Sequence, residues 1–316
     1  MEPFRLRHGA HTQAGRRPTN QDGVLVEVLA DGRTLLALAD GMGGHRAGEE
    51  ASRVALTELG AEVRAGRSLV EAFRTANHAV YTAGQERPEW KGMGTTLVAL
   101  LVEQGSYAIA NVGDSRAYRL SAAGVIRLTA DHSVLEEARR TGPEAVRAVD
   151  GTKWKHALTR AVGTEPEVEV DSFGPFSASE AHAVLLCSDG LYEVIPEAAL
   201  GDFAEGLEEE DLDTAARALA DRAYEGGSTD NISVVLGSFG SHGPGRPEPA
   251  GSPLGTEPVR RSIAAAPRVV PLVGLEPESR ARRRRRGRMK GWVRQYDPVL
   301  AVAIVMIVSG LLLWFL

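Results

Sequence analysis

The chain has 316 residues, 43% of them apolar and 25% charged, with a single cysteine, Cys187. This composition suits a globular body with its own core and excludes a collagen, a disulfide-framework toxin and a wholly disordered protein. One cysteine excludes an intrachain disulfide and a multi-cysteine zinc site, and fits a reducing compartment. The net charge of −6 is unevenly spread, with 23 Lys and Arg against 37 Asp and Glu in residues 1–240 and 13 against 5 in residues 241–316. The acidic body lacks the clustered cations that a phosphate backbone demands, which argues against nucleic acid as a partner and against a metal-dependent nuclease.

No apolar run follows Arg5, Arg7 and His8, so the N-terminus does not read as a signal peptide. Two apolar runs, 24–30 and 34–39, flank Asp31-Gly32, a strong hairpin signal. Residues 48–65 and 69–84 follow with helical periodicity. Residues 97–103, 107–112, 116–120 and 125–128 read as a strand meander, and 133–149 as helical and irregular sequence. Strands are expected at 168–173, 183–187 and 232–238, with a helix at 211–224. Antiparallel runs of strands with helices in blocks between them predict an α+β fold of layers, not a doubly wound parallel sheet.

Beyond residue 239 the character changes. Residues 240–279 hold eight Pro and six Gly and read as a disordered linker. Residues 280–298 form a polybasic juxtamembrane segment, opening with eight cations in eleven positions. Residues 299–316 contain no charge and, as a helix, would span about 27 Å, close to the ~30 Å core of a bilayer. Positive flanks stay inside, so the expectation is a single-pass protein of the cell membrane with residues 1–298 in the cytoplasm and its Arg cluster near anionic lipids.

The chemistry lies in aspartates at strand ends. Asp40 closes one apolar run and opens Gly41-Met42-Gly43-Gly44-His45; Asp189 closes another before Gly190. Asp230 precedes Asn231 and an apolar run, and Asp114 follows Asn111-Val112-Gly113. Brought to one end of a sheet, such carboxylates would repel one another unless divalent cations joined them, and an all-oxygen set suits Mg²⁺ or Mn²⁺. Gly41 lets the backbone approach, so its carbonyl is a further candidate ligand.

Eight blocks in order carry a family likeness: Arg17-Pro18-Thr19-Asn20-Gln21-Asp22, Ala39-Asp40-Gly41-Met42-Gly43-Gly44-His45, Met93-Gly94-Thr95-Thr96, Asn111-Val112-Gly113-Asp114-Ser115-Arg116, Leu128-Thr129-Ala130-Asp131-His132-Ser133, Leu158-Thr159-Arg160-Ala161-Val162-Gly163, Cys187-Ser188-Asp189-Gly190-Leu191 and Asp230-Asn231-Ile232-Ser233. Over about residues 5–240 the chain resembles the protein phosphatase 2C-like, metal-dependent (PPM) Ser/Thr phosphatases of bacterial type. The resemblance implies a four-layer α-β-β-α sandwich of two antiparallel sheets. It implies hydrolysis of phosphomonoesters on phosphoproteins by metal-activated water, with a Ser/Thr kinase as a natural partner. Asp40 would bridge two Mn²⁺ or Mg²⁺ ions, with the Gly41 carbonyl on the second and Asp189 and Asp230 on the first. Asp114 would hold, with Asp189, the third ion of bacterial members. Asp22 would orient the attacking water, and Arg17 would bind the phosphoryl oxygens through its planar fork.

Two departures stand out. Gln21 occupies a position where many members carry Glu, removing one carboxylate near the second ion. Met42 follows Asp-Gly where eukaryotic members place a His proposed to protonate the leaving oxygen, so water or His45 would serve. The filled ligand set favours an enzyme over the alternative, a membrane-anchored pseudophosphatase that binds phosphoproteins without turnover. Cys187 reads as a buried small hydrophobe, and His132 with Ser133 as the cap of the next helix. By the same resemblance, residues 133–155 would be the variable flap beside the active site, whose Trp154, between Lys153 and Lys155, would either meet substrate or serve in surface packing.

Overall fold

The computed structural model describes residues 6–44, 46–121, 124–180, 183–204, 207, 211–239 and 260–262. Its elements in chain order are β1 (Arg7–Gln13), β2 (Asp22–Val28), β3 (Thr34–Met42), α1 (Ala47–Arg64), α2 (Leu69–Glu86), β4 (Gly94–Thr95), β5 (Leu97–Glu103), β6 (Ser106–Val112), β7 (Arg116–Ser121) and β8 (Gly124–Arg127). They continue with α3 (Val134–Thr141), α4 (Pro143–Val149), β9 (Asp171–Ser177), β10 (Ala183–Cys187), α5 (Asp189–Tyr192), α6 (Glu197–Ala204), α7 (Leu212–Glu225), β11 (Ile232–Ser238) and β12 (Arg260–Ser262).

Two antiparallel sheets result, one ordered β1-β11-β10-β7-β8 and the other β12-β2-β3-β5-β6-β9, with β4 paired to β3. Three apolar layers hold them together. Leu36, Leu38, Val98, Leu100, Val184 and Leu186 fill the space between the sheets. Ala51, Ala55, Leu59 and Phe73, on α1 and α2, cover the outer face of β3 and β5. Leu212, Ala216, Leu219 and Ala223 of α7 cover the outer face of the five-stranded sheet over β1 and β11. The expected α-β-β-α layering is therefore present. Central strands such as Ala183–Cys187 are buried on both faces and read as continuous apolar runs for that reason.

Local chemistry fixes the element ends. Ser68 and Glu71 form a reciprocal capping box on α2, and Asp211 caps α7 by accepting from the Thr214 N–H at 3.0 Å. The β2–β3 connection runs from Leu29 to Arg33 and turns at Gly32, whose φ is +86°. One expectation changes, and two stretches without an assigned element acquire one. β1 has no alternating apolar pattern to betray it; it is a strand because β11 pairs along its length. The strand expected at 168–173 begins instead at Asp171, because Val168 and Val170 pack onto the α1–α2 layer as loop residues. Residues 189–204, assigned no element, form α5 and α6.

Three residues of the expected linker, Arg260–Ser262, pair with the edge of β2. The rest of that linker, the polybasic segment and the span at 299–316 lie outside the described residues. Among the described residues no helix is long and apolar enough to cross a membrane.

Gly9 tests the α7 contact. A Cβ on it would lie 2.1 Å from the Leu212 carbonyl carbon, so Gly9→Ala must push α7 off β1. The expected loss is about 1–3 kcal/mol of stability, readable as a lowered denaturant midpoint with an unchanged slope.

Candidate active site

The two sheets deliver their carboxylates to one end of the sandwich. Asp22 opens β2 and faces Asp40 across the β2–β3 ladder. Asp189 follows β10 and starts α5, and Asp230 immediately precedes the Asn231 that leads into β11. Asp114 sits in the turn between β6 and β7. The charges of Asp22, Asp189, Asp114 and Asp230 all act on Asp40. All five candidate carboxylates thus share one electrostatic field, as their placement at strand ends implies.

Burial, and then these neighbouring charges, hold Asp40 and Asp189 well above the usual carboxylate range. Burial also pushes Asp22 up to about 6, against the Ser188 hydroxyl that donates to its Oδ2 at 2.9 Å. Asp114 rises to about 6 through burial and the charge of Asp131. Two buried oxygens, Asp22 Oδ1 and Asp189 Oδ1, have no hydrogen-bond partner.

Gly41 is where it is because nothing larger fits: a Cβ there would meet the Gly48 carbonyl oxygen at 2.0 Å. Its N–H donates to the Gln21 carbonyl at 3.2 Å. The Gly-rich loop then turns through positive φ at Gly43 and Gly44. Gln21 proves to be a structural part of this loop. Its Nε2 donates to the Gly44 carbonyl at 2.7 Å and its N–H to Asn231 Oδ1 at 2.8 Å. A glutamate could not make the first of these bonds.

Arg17 does not stand free. Its Nη2 donates to Asp230 Oδ2 at 2.6 Å, with both side chains partly exposed. The loop bearing Arg17 is stapled by Asn231, whose Nδ2 donates to the Ala14 and Thr19 carbonyls, each at 2.9 Å. Asn231 and Ser188 are positioning residues whose roles emerge only in three dimensions. Thr96 is another: its N–H donates to the Asp40 carbonyl at 2.8 Å, and its Oγ1 accepts the Asp40 N–H at 2.9 Å.

Other residues also find their places. Ser133 caps α3 by accepting the Glu136 N–H at 3.3 Å, whereas His132 takes no part in the cap and turns inward. Cys187 is buried, and burial pushes its thiol far up, leaving no nucleophile there. Trp154 is 45% exposed and lies under the Lys153 ammonium at 4.8 Å. Met42 is half-buried beside Asp40, and His45 lies outside the described residues.

Among the described residues no three His, Cys, Asp or Glu side chains are placed to enclose an ion as they stand. The donor chemistry nevertheless fits divalent cations. The oxygens are hard, the carboxylates repel one another, and two of the oxygens are buried without a partner. The residues that would hold such ions are Asp40, the Gly41 carbonyl, Asp189, Asp230 and Asp114.

Comparison with known proteins agrees with this geometry. The family model described as protein phosphatase 2C matches residues 9–232. Serine/threonine phosphatase stp of Listeria innocua is 36% identical over 237 residues, which cover 71% of this chain and 92% of that protein. Protein phosphatase PhpP of Streptococcus pneumoniae is 33% identical over 240 residues, 71% of this chain and 93% of that one. Among solved structures, serine/threonine phosphatase Stp1 from Staphylococcus aureus matches with a TM-score of 0.68 at 30% identity, over 76% of this chain and 97% of that one. MsPP from Mycobacterium smegmatis, a PPM Ser-Thr phosphatase solved in complex with cacodylate, matches with a TM-score of 0.60 at 35% identity, over 74% and 98%. The chain belongs to the protein phosphatase 2C family and is an enzyme of that family, a serine/threonine phosphatase of bacterial type.

The raised carboxylates make the ion-free protein sensitive to pH in a definite direction. A group whose folded pKa lies above its unfolded value stabilises the fold at low pH, and that contribution is lost as pH rises through the folded pKa. For Asp22 and Asp114 the window runs from the ordinary 3.8 through about 6. Asp22 alone contributes roughly 3 kcal/mol across it, at ~1.4 kcal/mol per tenfold. Asp22→Asn should therefore show a smaller fall in melting temperature between pH 4 and 7 than the parent chain, both measured in chelator. An unchanged slope would mean that Asp22 is not the buried acid described here.

Proposed function

We propose that the chain hydrolyses phosphoserine and phosphothreonine in proteins with two divalent ions, Mn²⁺ or Mg²⁺, and that bacterial-type third-ion binding involves Asp114. The single observation that carries this reading is the convergence of Asp22, Asp40, Asp114, Asp189 and Asp230 in one field from both sheets. Divalent cations held there would lower the pKa of a water and withdraw charge from the phosphoryl group.

The chain's own residues do the rest. Asp40 feels the charges of all four other carboxylates and has its backbone locked by Thr96, so it is the carboxylate that would be shared between ions. Asp189 offers an unpartnered Oδ1, while the second oxygen of Asp230 is shared with Arg17. Asp22, steadied by Ser188, has its free Oδ1 available to orient a water and take up a proton from it. Arg17, 53% exposed, keeps N–H groups beyond the one given to Asp230, and its planar fork would grip phosphoryl oxygens.

The assignment is tested by Mn²⁺-dependent phosphate release from a phosphothreonine peptide. Chelation should abolish turnover. Asp40→Asn and Asp189→Asn should each lower kcat at least about a hundredfold, the scale of removing a preorganised charge-stabilising group. Arg17→Ala should lower kcat/KM about 10- to 100-fold, as loss of hydrogen bonds to a charged group does. Variants of Asp40 and Asp189 with parental rates would refute the ion-centred reading.

We further propose that residues 240–298 and 299–316 tether the phosphatase to the inner face of the cell membrane, near phosphoproteins made by a cognate Ser/Thr kinase. Composition supports this: an uncharged stretch follows the Arg cluster. Beyond the β12 pairing, the 35 residues from 263 to 297 would reach roughly 30–35 Å as a coil at ~5–6 Å × √n. Truncation after Phe239 should move the protein to the soluble fraction without changing kcat/KM on a small phosphoester. External protease that digests the catalytic domain in intact cells would reverse the topology.

A further inference from the structure

His132 is 3% exposed, and its ring nitrogens face the Gly113 backbone, Arg160 and Asp171, with none of these three on α3. Its Nδ1 lies 3.0 Å from the Gly113 nitrogen. A backbone N–H can only donate, so Nδ1 is an acceptor and the imidazole proton sits on Nε2. That Nε2 lies 3.2 Å from Asp171 Oδ2, while Arg160 Nη1 donates to Asp171 Oδ1 at 2.7 Å. Arg160 Nη1 also lies 3.0 Å from Nε2; both carry protons, so Asp171 is what joins them.

Gly113 needs this support. Its φ is +106°, and a Cβ there would meet Thr96 Cβ at 2.7 Å. Its carbonyl accepts the His132 N–H at 3.0 Å and Asn111 Nδ2 at 3.2 Å. The next residue but one, Ser115, shares a 2.7 Å hydrogen bond with Thr96, which in turn locks the Asp40 backbone. The turn that carries Asp114 is therefore held from one side by Thr96 and from the other by His132.

The same His132 sits at the root of the 133–157 segment. Thr159 N–H donates to the His132 carbonyl at 2.9 Å, Ser133 and Leu158 form an isolated bridge, and Arg160 follows two residues on in the returning chain. Both ends of the segment thus meet at the imidazole and its Asp171 partner.

We propose that His132 is a positioning residue for Asp114, its imidazole tying the Gly113–Asp114 turn to both roots of the 133–157 segment. This rests on the reading of Asp114 as an ion-binding carboxylate. The two arms of the imidazole can be separated, because the Asn side-chain oxygen falls near the place of Nδ1 and the Gln side-chain nitrogen near that of Nε2. His132→Asn keeps the Gly113 acceptor and gives up Asp171; His132→Gln does the reverse.

The experiment uses the full chain, first in chelator and then titrated with Mn²⁺. In the metal-free state, His132→Gln should speed amide exchange at Gly113 about tenfold or more, the effect of ~1.4 kcal/mol, while His132→Asn leaves it near the parental rate. By calorimetry, His132→Gln should weaken the lowest-affinity Mn²⁺ step by a similar factor and leave the tighter steps unchanged. A general loss of structure would instead weaken every step. Asp171→Asn, which cuts only the other arm, should preserve slow exchange at Gly113. Equal exchange in the Asn and Gln variants, or fast exchange in Asp171→Asn, would overturn the proposal. Asp114→Asn probes the underlying reading separately: if it leaves all Mn²⁺ steps intact, the ion assignment of Asp114 fails, and Gly113 exchange still decides the role of His132.

Discussion

The structure is organised around an electrostatic conflict. Five aspartates are gathered at one end of the sandwich, and burial together with the charges of the other four disfavours the charge of Asp40. A fold selected only for stability would not assemble such a group, since removing charge there relieves repulsion. The two-sheet architecture is what makes the gathering possible. Antiparallel strands place residues distant in sequence side by side, as Asp22 and Asp40 across one ladder, and the second sheet brings Asp189 and Asp230 to the same end.

Holding that arrangement requires backbone clamps, and polar side chains supply them. Thr96 grips Asp40 through both its N–H and its hydroxyl. Asn231 spends its whole carboxamide on the loop of Arg17 and Gln21. Gln21 holds the Gly44 carbonyl. The last contact recasts the substitution of Glu by Gln at this position: one negative charge is absent from the field, and the loop gains a donor that a carboxylate cannot provide.

Much of this was legible in the sequence. Apolar runs such as 97–103 and 232–238 are buried on both faces and could be read as strands residue for residue. The Asp residues at the ends of such runs pointed to one another only as a set, because a single Asp beside an apolar strand is ordinary turn chemistry. What stayed hidden depends on partners remote in sequence. β1 is polar and irregular, and becomes a strand only when β11 lies beside it. Val168 and Val170 alternate as a strand does, yet serve a loop that packs on helices. His132 stands before a helix like a capping residue, and nothing local reveals Gly113, nineteen positions away. The pairing of Arg17 with Asp230 spans 213 positions and is likewise invisible to any local pattern.

The position of β11 in the fold has a consequence for biogenesis. This strand lies between β1, the first of the chain, and β10, so the five-stranded sheet cannot close until residue 238 is available. Asp230 and Asn231 arrive with it. The hairpin of β2 and β3 and the helices behind it can form early from contacts close in sequence, whereas the first sheet needs its most distant pairing. A nascent chain emerging from the ribosome therefore carries Asp40 and Asp22 well before Asp230 can join them. Closure of the five-stranded sheet and the gathering of all five aspartates become a single late event.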